Sequence, residues 1–95
     1  MRFQLEPATD KKHKYVAIFT DDNNKELRVP FGAYGYDDYT THRDPVRRSA
    51  YLSRHRVREN WNNPYSPGAL SRWLLWETKS LQANISQFKR RFKLV

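Results

Sequence analysis

From His42 to Glu59 the chain carries six arginines and two histidines, and no acid lies between Asp44 and Glu59. A guanidinium stays charged at any accessible pH and is costly to bury without a partner. The fold must therefore hold this segment at the surface and find its core elsewhere. Asp44-Pro45 is a helix start, because Asp caps and Pro suits the first helical position. The spacing predicts a helix to about Glu59, broken by Asn60-Trp61-Asn62-Asn63-Pro64-Tyr65. At about 100° per residue, Val46, Ala50, Ser53 and Val57 stay within about 40° of one line, which predicts a narrow core-facing stripe. Arg47, Tyr51, Arg54 and Arg58 form a ridge of their own, with Arg48 and His55 beyond it and Arg56 on the far side.

Material for a core is present. Hydrophobic content is 38% of 95 residues, which suits one small domain, and five Phe, six Tyr and three Trp supply large apolar surfaces. Lys14-Tyr15-Val16-Ala17-Ile18-Phe19-Thr20 is β-branched and aromatic and reads as a strand. Asp21-Asp22-Asn23-Asn24 is a turn cluster, and Lys25-Glu26-Leu27-Arg28-Val29-Pro30-Phe31 alternates as a second strand. Residues 32–41, with two glycines and three tyrosines, read as an ordered loop. Ser66-Pro67 starts a second helix through Glu77 or Thr78, and Ser80 caps a third to about Phe92. Leu81, Ile85, Phe88 and Phe92 form its amphipathic stripe. The expectation is an α+β domain over residues 13–95, an antiparallel hairpin followed by three helices (ββααα). Residues 1–12 read as a flexible leader.

Several chemistries drop out. There is no cysteine, so disulfides, thiolate zinc sites and thiol catalysis are excluded. The longest apolar run, Trp73-Leu74-Leu75-Trp76, is far below the roughly 20 residues that span a bilayer, and Met1–Glu6 lacks a signal-peptide core. His13, His42 and His55 lack zinc-ligand spacing, so neither a metal nor another cofactor is expected. Asp37, Asp38, His42, Glu59 and Asn60 are the groups a nuclease could use. A hairpin from Tyr15 to Tyr36 before an arginine helix resembles the order of GIY-YIG nucleases, but neither tripeptide is present. The chain is expected not to be an enzyme. The Asp37-Asp38 pair reads as a turn that pairs with nearby arginines.

The charge points to a polyanion. The net charge is +8, and the Asp44–Glu59 run uses arginine alone, although lysine would solvate as well. Arginine adds a planar fork that grips phosphate and stacks on rings. The expected partner is double-stranded DNA, held by its backbone without base reading, with no membrane involved. The expected contacts are Arg43, Arg47, Arg48, Tyr51, Arg54, His55 and Arg58, with Lys89, Arg90 and Arg91 as a second cluster. About six neutralised phosphates would cost roughly 10³-fold in affinity between 50 and 200 mM salt. On the second helix Leu70, Trp73 and Leu74 share a face, and Leu75 and Trp76 point away from it. The hairpin and third helix could bury that pair; self-association through Leu75 and Trp76 into a homo-oligomer is the other expectation.

Phe31-Gly32-Ala33-Tyr34-Gly35-Tyr36-Asp37-Asp38-Tyr39-Thr40, His42, Tyr51, Arg54-His55, Arg58-Glu59-Asn60-Trp61, Ser71-Arg72-Trp73-Leu74-Leu75-Trp76 and Lys89-Arg90-Arg91-Phe92 together resemble a family of small basic proteins encoded by nucleocytoplasmic large DNA viruses, the giant viruses. That family is of unknown function, so the resemblance implies origin more than mechanism. It runs from Gly32 to Phe92 and leaves the leader outside. It implies a place in the virion, the host nucleus or a cytoplasmic viral factory, and a part in packaging or condensing a viral genome. A structural virion or capsid-interaction protein is the alternative, and a small nuclease a more distant one.

Overall fold

Arg2-Phe3-Gln4-Leu5-Glu6 alternates polar and apolar, the period-two pattern of a half-buried strand. In the computed structural model, which describes residues 1–95, this segment is β1 (Arg2–Pro7), so the expected flexible leader is instead an edge strand. It pairs antiparallel with β2 (His13–Thr20), which pairs with β3 (Glu26–Ala33) in the order β1-β2-β3. The register sets Phe3 opposite Phe19, Leu5 opposite Ala17 and Tyr15 opposite Phe31, gathering these side chains on one face. The expected turn at 21–24 forms: the Asp21 carboxylate accepts the N–H groups of Asn23 and Lys25, and Asn24 is left-handed at φ 61°. Val95 exchanges backbone hydrogen bonds with Met1 and Phe3, which covers the otherwise open edge of β1.

Four helices follow. α1 (Tyr39–His42) is a single turn at the end of the segment expected as an ordered loop, started by Asp38, whose carboxylate accepts the Thr40 N–H. α2 (Pro45–His55) starts as expected, with the Asp44 carboxylate accepting from Val46 N–H, but ends short of Glu59. α3 (Pro67–Leu75) is capped by Ser66 and ends before Glu77; α4 (Leu81–Arg91) is capped by Ser80. The α+β class holds, with three strands and four helices rather than two and three.

The helices α3 and α4 cover the apolar sheet face. Phe88 lies 4.8 Å from Phe3 and 4.9 Å from Phe92, ring centre to ring centre, and Leu70, Leu74 and Leu75 are buried beside Phe31. Leu81, Ile85 and Phe92 pack on the same core, so the α4 stripe is as expected. The buried Asn84 fixes the α3–α4 corner. Its amide donates to the carbonyls of Leu74 (2.8 Å) and Thr78 (3.2 Å), and its oxygen accepts from Thr78 N–H (3.0 Å). No helix is long and apolar enough to cross a membrane.

Two expectations about faces are overturned. Val46 and Val57, placed in a core stripe, are 75% and 76% exposed, and Ala50 and Ser53 are exposed between them. The inner side of α2 is instead Arg48, Tyr51, Leu52 and His55, half a turn away. The reason is size: two valines and an alanine offer less surface to bury than a tyrosine and a leucine together with the stem of an arginine. Leu75 and Trp76, assigned to self-association, are 2% and 9% exposed within the single chain.

Candidate nucleic-acid interface

The basic helix is anchored by rings. Tyr51 lies flat on Trp76, with 4.0 Å between ring centres and 3° between planes, and His55 stacks on its other side at 4.0 Å. His42 continues the column beyond Trp76 at 5.2 Å. The His42 Nδ1 accepts the Asp44 N–H at 2.9 Å. Burial pushes the Tyr51 hydroxyl above the ordinary tyrosine range, and the charge of Glu59 adds to the effect. Arg48 closes the same seam. Its Nε donates to the Trp76 carbonyl at 2.7 Å and its terminal nitrogen to Glu77 at 2.9 Å. Arg48 and Tyr51, both among the expected DNA contacts, are thus held by groups of the protein, Arg48 half-buried and Tyr51 buried.

What remains outward is arginine. Arg43, Arg47, Arg54, Arg56 and Arg58 are all exposed. The ion pairs made by arginines use Arg28, Arg48 and Arg72 and none of these five. The second cluster lies at the end of α4. Lys89 is half-buried and Arg90 is exposed. The Arg91 guanidinium is drawn over the Trp73 ring, 3.6 Å from its centre, and Arg72 stacks on the same ring at 4.2 Å. Trp73 in turn donates its Nε1–H to the Trp61 carbonyl at 2.7 Å.

Beside the arginine ridge is a cleft of about 700 Å³, bounded by α2, the start of β2 with the end of β3, opposite their connecting turn, and one face of α3. Lys12, Lys14, Arg47, Arg54, His55, Glu59 and Tyr36 line it, over a floor that includes Phe31, Tyr51, Leu75 and Trp76. Lys14 donates to Asp38 at 2.5 Å, and both side chains are largely buried, so Asp38 pairs with a lysine and not with the expected arginines. Glu59 is committed on both oxygens: one meets His55 Nδ1 at 3.0 Å, the other accepts the Trp61 Nε1–H at 2.9 Å. It also fills the space above Gly68, where an added Cβ would lie 2.8 Å from the Glu59 Cδ. Of the groups a nuclease could use, Asp37, Asp38 and Glu59 line the cleft, while His42 packs against Trp76.

Sequence reasoning missed Lys12, Lys14 and Tyr36 as neighbours of the arginine helix. The available signal was the tyrosine-rich loop with left-handed turns at Gly32 (φ 77°) and Gly35 (φ 84°), which folds the chain back toward α2.

Residues 3–55 match the model of a family of unknown function, DUF5754, and the chain belongs to that family. The match runs from β1 through α2. It therefore includes most of the segment first read as a leader and overlaps the earlier resemblance over residues 32–55. No curated protein and no solved structure matches the chain.

Proposed function

We propose that this member of the DUF5754 family binds duplex DNA through its phosphates, without reading sequence, and serves to compact or package a genome. The sequence resemblance points to the genome of a giant virus. The observation that carries the reading is the set of five exposed arginines on and beside α2, all lacking carboxylate partners. Crowding such charges raises the energy of the free protein, and an external polyanion removes that cost. α2 spans about 16 Å at about 1.5 Å per residue. A duplex carries one phosphate charge per about 1.7 Å of axis, so about nine lie along the same length. The exposed side of α2 offers valine, alanine and serine between its arginines and neither Asn nor Gln, which argues against adenine readout.

Compaction needs two contacts with DNA. Because Leu75 and Trp76 lie in the core, the means proposed is bridging by one chain, with the α2 arginines on one segment and Lys89, Arg90 and Lys93 on another. The test is a titration of a fluorescent duplex at 50 and 200 mM salt. Five phosphate contacts predict a loss of about 500-fold in affinity over that range. A flat response, or no binding at the lower salt, refutes the reading.

A further inference from the structure

We propose that the cleft beside α2 receives one unpaired nucleotide, a strand end or an extruded base, with its phosphate on Arg47 and Arg54 and its base against Tyr36. The inference rests on the nucleic-acid reading above and deepens it: the cleft shares Arg47 and Arg54 with the duplex-binding ridge and adds a distinct ligand.

Three observations converge on it. The first is size. About 700 Å³ falls within the roughly 300–1,000 Å³ of small-molecule sites, so the cleft suits a nucleotide and cannot admit a duplex. The second is the aromatic at its mouth. Tyr36 is 73% exposed and, like Tyr34 outside the cleft, packs against no other ring, whereas Tyr39 and Tyr51 each do. A bare ring beside free cations is the arrangement on which single-stranded bases stack.

The third is the sign pattern. A surface that only tracks phosphate needs cations alone. This cleft sets Arg47 and Arg54 on one wall with Glu59 and His55, and across from them carries Asp37 and the Lys14-paired Asp38. His55 Nδ1 meets Glu59, so its Nε2 is the ring nitrogen left for a base edge. Glu59 keeps further lone pairs, and carboxylates accept from the amino group of cytosine. A lining with a cationic part for phosphate and an accepting part for a base edge fits a nucleotide better than a bare anion or an acidic peptide. The buried apolar floor excludes water from beneath the base.

The experiment compares a blunt labelled duplex with the same duplex carrying a short single-stranded overhang, by fluorescence anisotropy, using the full chain. Wild type is expected to bind the overhang about 10-fold more tightly, from one stacked base and its phosphate. Tyr36→Ala should abolish that gain and leave blunt-duplex affinity unchanged. Ala33→Trp, which obstructs the cleft from an exposed position at the end of β3 and away from the α2 arginines, should do the same. Equal affinity of wild type for both probes overturns the proposal, as does a gain that survives both substitutions with unchanged melting temperatures. If the overhang binds and the blunt duplex does not, the duplex reading fails and the cleft assignment stands.

Discussion

Replacing Arg47, Arg54 and Arg58 with Gln should cost binding and spare the fold, whereas Arg48→Gln should do the reverse. The three outward side chains make no ion pair, so each change should alter stability by no more than about 0.5 kcal/mol. Each lost phosphate contact lowers the salt slope by about 0.9. With three removed from five, the slope falls by about 2.7, and the loss between 50 and 200 mM salt shrinks from about 500-fold to about 12-fold. Arg48 is different because its guanidinium occupies the Trp76 carbonyl and Glu77. Glu77 retains Arg72 at 3.2 Å, so the main loss is the carbonyl's partner. That costs about 1–2 kcal/mol. For a chain of this size it lowers the melting temperature by about 5–15 °C. Circular dichroism melts and duplex titrations on both variants make the comparison. A triple variant that unfolds, or that keeps the wild-type salt slope, would refute the division between anchoring and presented arginines.

Tyr51→Phe addresses the buried hydroxyl. Because its pKa is raised in the fold, its contribution is complete below the ordinary tyrosine value of about 10 and is lost as pH rises past it, so the variant should resist alkaline unfolding better than wild type. Asn84→Ala strips partners from Leu74 O and the Thr78 backbone in a fully buried corner and should cost about 2–3 kcal/mol in urea unfolding. Gly68→Ala should displace Glu59 from His55 and Trp61, and nuclear magnetic resonance should show the Trp61 indole N–H and the His55 ring shifting together. Changing Lys89, Arg90 and Lys93 to Gln should leave short-duplex affinity nearly intact and abolish compaction of long DNA in single-molecule extension; unchanged compaction would exclude bridging through the end of α4.

Local chemistry was legible in the sequence and non-local pairing was not. Asp44, Ser66 and Ser80 mark their helix starts because a cap acts within three residues. The α4 stripe of Leu81, Ile85 and Phe88 is legible because its period is local too. β1 shows a local alternation, but only Phe3 and Leu5 carry it, and pairing of Phe3 with Phe19 is what separates a strand from a polar leader. The face of α2 was misread because three small apolar residues matched the period, while the buried side carries a tyrosine, a histidine and an arginine. Arg43, Arg47, Arg54 and Arg58 emerge exposed as expected. The cleft was invisible because its walls come from residues 12–14, 31–38, 47–59 and 67–76, which only the folded chain brings together.

The way α2 is held bears on what it can present. Eleven residues make a helix too short to be stable alone in water. A surface helix commonly adds support through pairs of opposite charge one turn apart, but each such pair occupies a cation. Here the support comes from the Asp44 cap, the stack of His55, Tyr51 and Trp76, and a single arginine, Arg48, turned inward to the Trp76 carbonyl and Glu77. None of these uses Arg47, Arg54, Arg56 or Arg58. Stacking fixes the helix against the core while its guanidiniums stay free, so their mutual repulsion is stored in the unbound protein until phosphate relieves it. Salt screens that repulsion and also competes for the phosphate sites. Salt should therefore raise the melting temperature of the free protein over the same range in which it weakens duplex binding. An anchoring scheme built on surface ion pairs would show the opposite stability trend, because salt weakens those pairs.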